Sequence, residues 1–510
     1  AAPPGRSTAP LRPASRHYDA ASDDIVFMLL DSNHDDASIT LFGVTQRGES
    51  VLVLIEGFRP YFYIRAPAGV DEGDFANDLE AKVRKGKSKE AAVERVERVR
   101  SRSLMYYTAQ TYDYLRITVR NPKLVGPAVT ALEGDDGEWE PTLEASESKP
   151  AKYEERFMVD AGITGGGWVR VRRGQWSRVD EGDAQLCCQV KWDKDRPPLA
   201  SAGAAEEFQR LCPLRVLSFD VLSDGALRQL HQPKAAETTL LGVSVVLGTG
   251  DETFRSALVV RPPTTGRCDG KQQSLRTPNG VVQTRFVSSE AELLDRFEEL
   301  VVELDPDFIT GSDVGHSMQL LQFRADALKR AWGAGFGRGG LLKIKKKQTY
   351  NPAWVKSAGR QSASSNQEAK EITTSGRIFI DVREAAQAQR QLRTYAFSEI
   401  TESLLSESAP WYSGPSLAAK HAHAQKSERD LCELLSYSVG LADQARRCVD
   451  AMQFITEATT LARVTGQPLK SVWTRGKMLQ AVNMLLRACP RLIRNTGSFL
   501  CHASSSSERR

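Results

Sequence analysis

Between Leu214 and Trp332 the apolar residues change spacing in a fixed order, and that order limits the architectures open to the chain. Leu214, Val216, Leu217 and Phe219 form a short run ending at Asp220, which reads as a buried strand with a polar residue at its tip. Leu240 to Leu247 and Thr253 to Val260, joined through Gly248, Gly250 and Asp251, read as a hairpin. Ser289 with Glu292 three residues on is a capping box, and Leu293, Leu294, Phe297, Leu300, Val301 and Leu304 follow at helical spacing until Asp305 and Pro306. Phe308 to Thr310 is another strand, and a helix follows from about Met318 to Trp332. Strand, hairpin, helix, strand, helix is the order of an α/β domain with a mixed sheet and helices on its faces.

The region before it differs. Ile25 to Leu30, Ser38 to Val44, Val51 to Ile55 and Tyr61 to Ile64 alternate with polar turns, which predicts a β-rich domain interrupted by one basic helical insertion, Glu80 to Arg102. Acids Glu90, Glu94 and Glu97 balance that insertion, so it reads as a solvated face rather than a nucleic-acid groove. The first 18 residues hold Arg6, Arg12 and Arg16 with no acid; Pro3, Pro4, Pro10 and Pro13 favour a disordered tail over a transit peptide. The chain opens on Ala1, which is compatible with processing or an incomplete gene product.

After Gln361 to Gln367, a polar loop tip, Arg377 to Val382 supplies a strand with Asp381 near its end. Beyond Glu384 the pattern is helical, most clearly from Ser427 to Arg463, and periodicity is lost from Cys489. With 510 residues and 41% hydrophobic content the chain can bury two or three cores, which excludes a disordered or fibrous protein. A net charge of +4 decides nothing about nucleic acid. The eight cysteines include no CxxC pair, which argues against a zinc module or a disulfide framework and for reduced thiols. No apolar run approaches the roughly 18 residues of a membrane span, so no membrane partner is expected.

Three local features invite a functional reading. Gly335 to Gly340 fits GxGxxG, but it follows a helix rather than a strand, so a dinucleotide site is not expected. Lys343, Lys345, Lys346 and Lys347, with Tyr350 and Trp354 beyond, form the densest basic and aromatic patch, a hairpin or loop able to track a phosphate backbone or simply a solvated loop. His421 and His423 stand among Ala and Lys without a matching acid or Cys, and a surface role is expected for them.

Several strings, in order, resemble the catalytic subunit of delta-type, B-family DNA polymerases. They are Phe42-Gly-Val-Thr45, Gly57-Phe-Arg-Pro-Tyr-Phe-Tyr63, Arg116-Ile-Thr-Val119 and Arg156-Phe-Met-Val-Asp160 in the first region. Pro213-Leu-Arg-Val-Leu-Ser-Phe-Asp220, Asp305-Pro-Asp-Phe-Ile-Thr-Gly311, Gly376 to Asp381 and Leu392-Arg-Thr-Tyr395 follow, then Ala462-Arg-Val-Thr-Gly466 and Thr474-Arg-Gly476. The resemblance implies a tail at 1–18, a β-rich polymerase N-terminal domain at 19–206 and a ribonuclease H-like 3′–5′ exonuclease-like domain at 207–445. It implies helices leading toward a palm at 446–487 and a second tail at 488–510. The family's palm strings, Asp followed by Ser-Leu-Tyr-Pro-Ser and Tyr-Gly-Asp-Thr-Asp, have no counterpart in this sequence, so a truncated or divergent chain is expected, and the change of text after Arg487 to Cys-Pro-Arg-Leu-Ile-Arg-Asn favours truncation.

In that family the nuclease site holds two divalent metals about 3.5–4 Å apart, and magnesium wants several carboxylates. The resemblance places five functional positions here on Asp220, Leu222, Met318, Tyr437 and Leu441. Asp220 and Tyr437 are kept, Asp220 as a weak metal ligand and Tyr437 as the group that would orient water; leucine offers no lone pair, and a thioether is a poor magnesium ligand. Asp224, Asp313 and Asp443 lie near in sequence, but Asp443 is about 200° of helix past the required position, and Asp313 adds negative charge where a phosphate would approach, although it stands where the family's primer-end contact does.

The expectation is therefore a polymerase delta-like scaffold in DNA replication, binding primer-template or single-stranded DNA, with an inactive proofreading domain that does not bind Mg2+ productively. The alternatives are the N-terminal fragment of a full DNA-directed polymerase, and an active exonuclease using displaced acids. Nuclear location and contact with polymerase accessory subunits follow from the resemblance alone.

Overall fold

The computed structural model describes residues 10–475 except 67–68, 86–90, 103–110, 134–152, 226–237, 262–271, 340–341, 347–369 and positions 181, 204 and 251, with scattered positions from 477 to 487. The chain divides into two compact units, 15–212 with 457–510, and 1–14 with 213–456. Gln361–Gln367, Tyr350, Trp354 and the tail from Cys489 lie outside the described residues.

In the first unit the alternating runs become strands β1 (Ile25–His34), β2 (Ser38–Thr45), β3 (Ser50–Glu56), β4 (Tyr61–Arg65), β5 (Val93–Arg102), β6 (Thr111–Val119), β7 (Trp168–Val171), β8 (Trp176–Arg178), β9 (Leu186–Lys191) and β10 (Leu199–Ser201). Seven of them form one sheet in the order β10-β7-β1-β2-β3-β9-β8, and β4-β6-β5 form a second. Helices α1 (Glu72–Lys85) and α2 (Val125–Glu133) cover the smaller sheet through Phe75, Leu79, Val83, Val129 and Leu132, while α3 (Tyr153–Asp160) packs Phe157 and Met158 into the larger core.

The basic insertion is not one helix. It divides into the end of α1 and strand β5, because a bulge between Val93 and Arg95 puts Val93 opposite Val119 and Val96 opposite Ile117. Two valines three residues apart thus share one face of a strand, a spacing that imitates a helix in the sequence.

The second unit is built on β11 (Arg215–Ser223), β12 (Leu240–Thr249), β13 (Glu252–Val260), β14 (Gln272–Thr277), β15 (Gly280–Val287), β16 (Phe308–Gly311), β17 (Lys343–Lys346), β18 (Lys370–Thr373) and β19 (Ile378–Asp381). Its main sheet has the order β14-β15-β13-β12-β11-β16-β19, with β16 parallel to both β11 and β19, and β12 antiparallel to both its neighbours. The helices are α4 (Glu290–Leu304), α5 (Val314–Ala327), α6 (Val382–Gln389), α7 (Phe397–Leu405), α8 (Gly414–Ala424) and α9 (Glu428–Ala451), with α10 (Phe454–Thr465) spanning the boundary between the units. The expected α/β mixed sheet is present.

Ser289 caps α4 by accepting from the Glu292 N–H, and Asp305 ends the helix at φ 39°. Helix α5 begins at Val314, four residues before the expected start, because Asp313 caps it through the His316 N–H. The expected long helix from Ser427 is two, α9 and α10, separated by Gln453 at φ 50°. Strand alternation divides β11 between two cores. Leu217, Phe219 and Val221 join Phe297, Val301 and Met318 under α4 and α5, whereas Leu222 joins Leu417, Leu434, Leu435 and Val439 under α8 and α9. Full burial of Phe297 alone contributes about 1.5–3 kcal/mol.

The tail expected at 1–18 is ordered where it is described. Arg12 is buried, its Nε lies 2.6 Å from Asp305, and it also pairs with Asp307. Arg338 meets Asp305 at 2.8 Å and Asp307 at 2.9 Å, and Arg377 meets Asp305 at 3.0 Å. Burial raises the Asp305 pKa, but Arg338, Arg12 and Arg377 outweigh it and hold the carboxyl well below the usual range. Further on, the Tyr18 hydroxyl donates to Glu49 at 2.8 Å. A run of prolines and arginines carries no signal for such partners, since they stand nearly 300 positions away.

Candidate functional site

Asp220 sits in the middle of β11 rather than at its tip, on the face covered by α9, and is 7% exposed. Its Oδ2 accepts a 3.1 Å hydrogen bond from Oγ of Ser438, itself fully buried. Burial pushes the carboxyl up to about 6 against the weaker, lowering effects of the Ser438 hydrogen bond and the Val221 N–H. No cation appears among the causes of that shift.

Tyr437 precedes Ser438 on α9 and packs on Tyr412 with ring centroids 4.7 Å apart. Burial first, then the charge of Asp220, pushes its phenol up. The structure therefore brings Asp220 and Tyr437 near each other. The sequence carries no signal for Ser438, because a serine inside a helix marks no ligand. Only the register of α9 against β11 identifies it.

The other aligned positions are apolar and buried. Leu222, two residues along β11 on the Asp220 face, is 1% exposed and fills the core under α9, beside a register shift at Leu222/Ser223. Leu441, one turn after Tyr437, is 9% exposed. Met318 is fully buried in the core of the opposite face, with Phe219 and Val314.

Neighbouring acids are engaged elsewhere. Asp224 Oδ1 accepts from the Thr239 N–H at 2.7 Å. Asp443 faces Arg255 of β13 and Arg446, both at 3.6 Å, and β12 lies between β13 and β11. Asp313 contacts Nδ1 of His316 at 2.6 Å and accepts from Arg383 at 3.0 Å. Burial opposes its charge, yet His316 and Arg383 hold the carboxyl below its ordinary value. Asp381, at the end of β19, accepts from Val314 N of α5 and Arg383 N of α6, and so ties two helix starts together. Among the described residues no group of three or more His, Cys, Asp or Glu could hold a metal ion. A hard divalent cation finds one carboxylate here with hydrocarbon around it, so the residues present do not fit a magnesium pair.

The other local features resolve as follows. Gly335 Oand Gly337 O accept from the Arg377 guanidinium, so the glycine-rich segment serves the buried ion-pair network. Of the hairpin and loop expected there, the structure has the paired form: Lys343–Lys346 is strand β17, antiparallel to β18; Lys343 is exposed, and Lys347 lies outside the described residues. The expectation of a surface role is corrected for His421, which is 7% exposed with Nε2 2.8 Å from the Val260 carbonyl, while His423 is exposed. No helix among the described residues is long and apolar enough to cross a membrane.

A family model described as DNA polymerase family B, exonuclease domain, matches residues 150–400. The DNA polymerase delta catalytic subunit of Arabidopsis thaliana is 28% identical over 466 residues, covering 88% of this chain and 40% of that protein. The subunit of Bos taurus is 27% identical, covering 94% of this chain and 44% of its own length. The chain thus spans about two fifths of the length of these curated relatives. The solved family B DNA polymerase of the archaeon Pyrobaculum calidifontis superposes with a TM-score of 0.63 at 18% identity, covering 92% of this chain and 51% of that one, a likeness of fold.

Proposed function

We propose, from the match of residues 150–400 to the family B DNA polymerase exonuclease domain and the similarity to delta-type catalytic subunits, that the chain is a DNA-contacting scaffold in replication whose proofreading site does not hydrolyse. One observation carries the reading: among the described residues no acid joins Asp220 in a metal-holding group, its carboxylate is bonded to Ser438, and Leu222 and Leu441 are buried at the aligned ligand positions. In this fold class one metal activates the water and a second stabilises the leaving oxygen, and a single carboxylate does not hold such a pair. The lysines of β17, Lys343, Lys345 and Lys346, with Lys347 beyond, are the proposed phosphate contacts. Asp313, held by Arg383 and His316, is left to its helix cap.

The test is incubation of the purified chain with 5′-labelled single-stranded and primer-template DNA in magnesium or manganese. Retention that weakens with salt, without shortening of the 3′ end, is expected. Shortening that disappears in Asp220→Ala overturns the inactive site, and no retention at low salt overturns the scaffold. Nuclear location and contact with accessory subunits are part of the proposal, checked by imaging and co-purification of the tagged chain.

The share of the relatives that is covered favours a second reading, in which these residues are the N-terminal part of a longer polymerase. Sequencing the transcript beyond codon 510 for the palm strings tests it. Their absence in every frame counts against it.

A further inference from the structure

In the unit of residues 15–212 the end of β9 opens onto a cavity of about 570 Å3 lined by Gln175, Lys191, Trp192, Asp193, Lys194 and Arg196 among others. We infer that this cavity binds single-stranded nucleic acid, with a base against Trp192 and the adjoining phosphates on Lys191, Lys194 and Arg196. The inference deepens the scaffold reading and rests on it.

The charges are arranged for an anion. Among the described residues Lys191, Lys194 and Arg196 enter no ion pair, and Lys191, Lys194 and Arg196 are all exposed. Asp193, the acid in the lining, is occupied, because its Oδ1 accepts from the N–H groups of Asp195 at 2.9 Å and Arg196 at 3.3 Å. That turn fixes the loop carrying the two outer cations. The nearby acid Asp160 is buried, accepts from the Tyr61 hydroxyl at 2.9 Å and feels the charge of Lys194 after those of Arg156 and Arg116. The cavity therefore presents three cations against one committed carboxylate.

The aromatic wall is held in place. Trp192 is partly buried and meets Phe58 and Phe157 edge-on, with ring centroids 5.6 and 5.1 Å away. Its backbone N–H donates to the Glu56 carbonyl at 2.7 Å, continuing the β3–β9 pairing by one residue. A fixed indole beside lysines is the arrangement that takes any base by stacking and its phosphates by charge, without reading sequence. The cavity volume lies within the range of about 300–1,000 Å3 of small-molecule pockets.

The experiment uses the full chain, fluorescein-labelled dT20, a blunt duplex, a primer-template and inorganic pyrophosphate, with anisotropy read over a salt series. In the triple variant Lys191→Gln, Lys194→Gln, Arg196→Gln the dT20 affinity is expected to fall about tenfold or more, and the slope of log Kd against log salt to shrink by about 2, at about 0.7 per phosphate. Trp192→Leu, which keeps apolar packing on Phe58 and Phe157, is expected to weaken dT20 and leave pyrophosphate competition unchanged. Matching melting curves establish that the triple variant is folded, so it decides the matter should Trp192→Leu unfold. Unchanged affinity and slope in the triple variant overturn the inference, as does equal preference for the blunt duplex. A wild-type chain that binds primer-template but ignores dT20 removes the cavity and leaves the scaffold; one that binds neither removes both.

Discussion

Replacing Asp220 by Asn separates a solitary buried carboxylate from a metal ligand. In the folded chain burial pushes this carboxyl up to about 6 from 3.8. In the pH range between those values the folded state holds the proton more tightly than the unfolded state, so stability falls as pH rises through about 6. At about 1.4 kcal/mol per tenfold change in proton affinity, ionised Asp220 costs about 3 kcal/mol above pH 7 and nothing below about pH 4. Asn keeps an acceptor for Ser438 and carries no charge. Asp220→Asn is therefore expected to be more stable than wild type at pH 8 by up to about 3 kcal/mol, on the order of 5–10 °C in the melting of its unit, and equal to it near pH 4. Because the two proteins are compared at each pH, other titrating groups cancel. The assay is thermal melting from pH 4 to 8, with and without 10 mM magnesium against an ionic-strength control. A ligand with affinity for the folded state raises its melting temperature by mass action. A magnesium-specific rise in wild type that Asn abolishes, or an Asn variant less stable at pH 8, refutes the reasoning.

Three further outcomes follow from the packing. Met318→Asp restores an acid at the aligned position but buries it in the core of the opposite face, so unfolding in urea is expected to be easier by more than about 4 kcal/mol, with no recovery in magnesium. Arg12→Ala leaves Asp305 with Arg338 and Arg377 and Asp307 with Arg338, so it is expected to cost about 1–3 kcal/mol in the same assay, the loss of its own charged hydrogen bonds. Ser289→Ala removes the α4 cap and is expected to cost about 1 kcal/mol, read as a small shift of the urea midpoint.

The helix from Ser289 and the hairpin after Leu240 were legible because cap, period and turn residues all act within a few positions. Strand β5 was not, since its bulge resets the alternation and only its pairing with β6 shows that. At the site, the apolar identity of Leu222 and Leu441 could be read directly, but their neighbours could not. Ser438 meets Asp220 across 218 positions, and Met318, at the position aligned with a ligating Asp, belongs to the core on the other face of the sheet. His421 stood in a polar string, and its burial depends on a carbonyl 161 positions earlier. Local patterns fix elements; which side chains meet is decided by the order of strands in the sheet.

The pairing of Arg12 with Asp305 and Asp307 also sets a schedule for the making of the protein. At a synthesis rate of about 5–20 residues per second, the 293 positions that separate Arg12 from Asp305 take about 15–60 seconds to emerge. Throughout that interval a segment destined for burial beside two carboxylates waits in solvent, while strands β1 to β10 are free to assemble. Arg338, 33 positions beyond Asp305, follows the acids by only about 2–7 seconds, so Arg12 is the partner that is waiting when they emerge and Arg338 the one that completes the cluster.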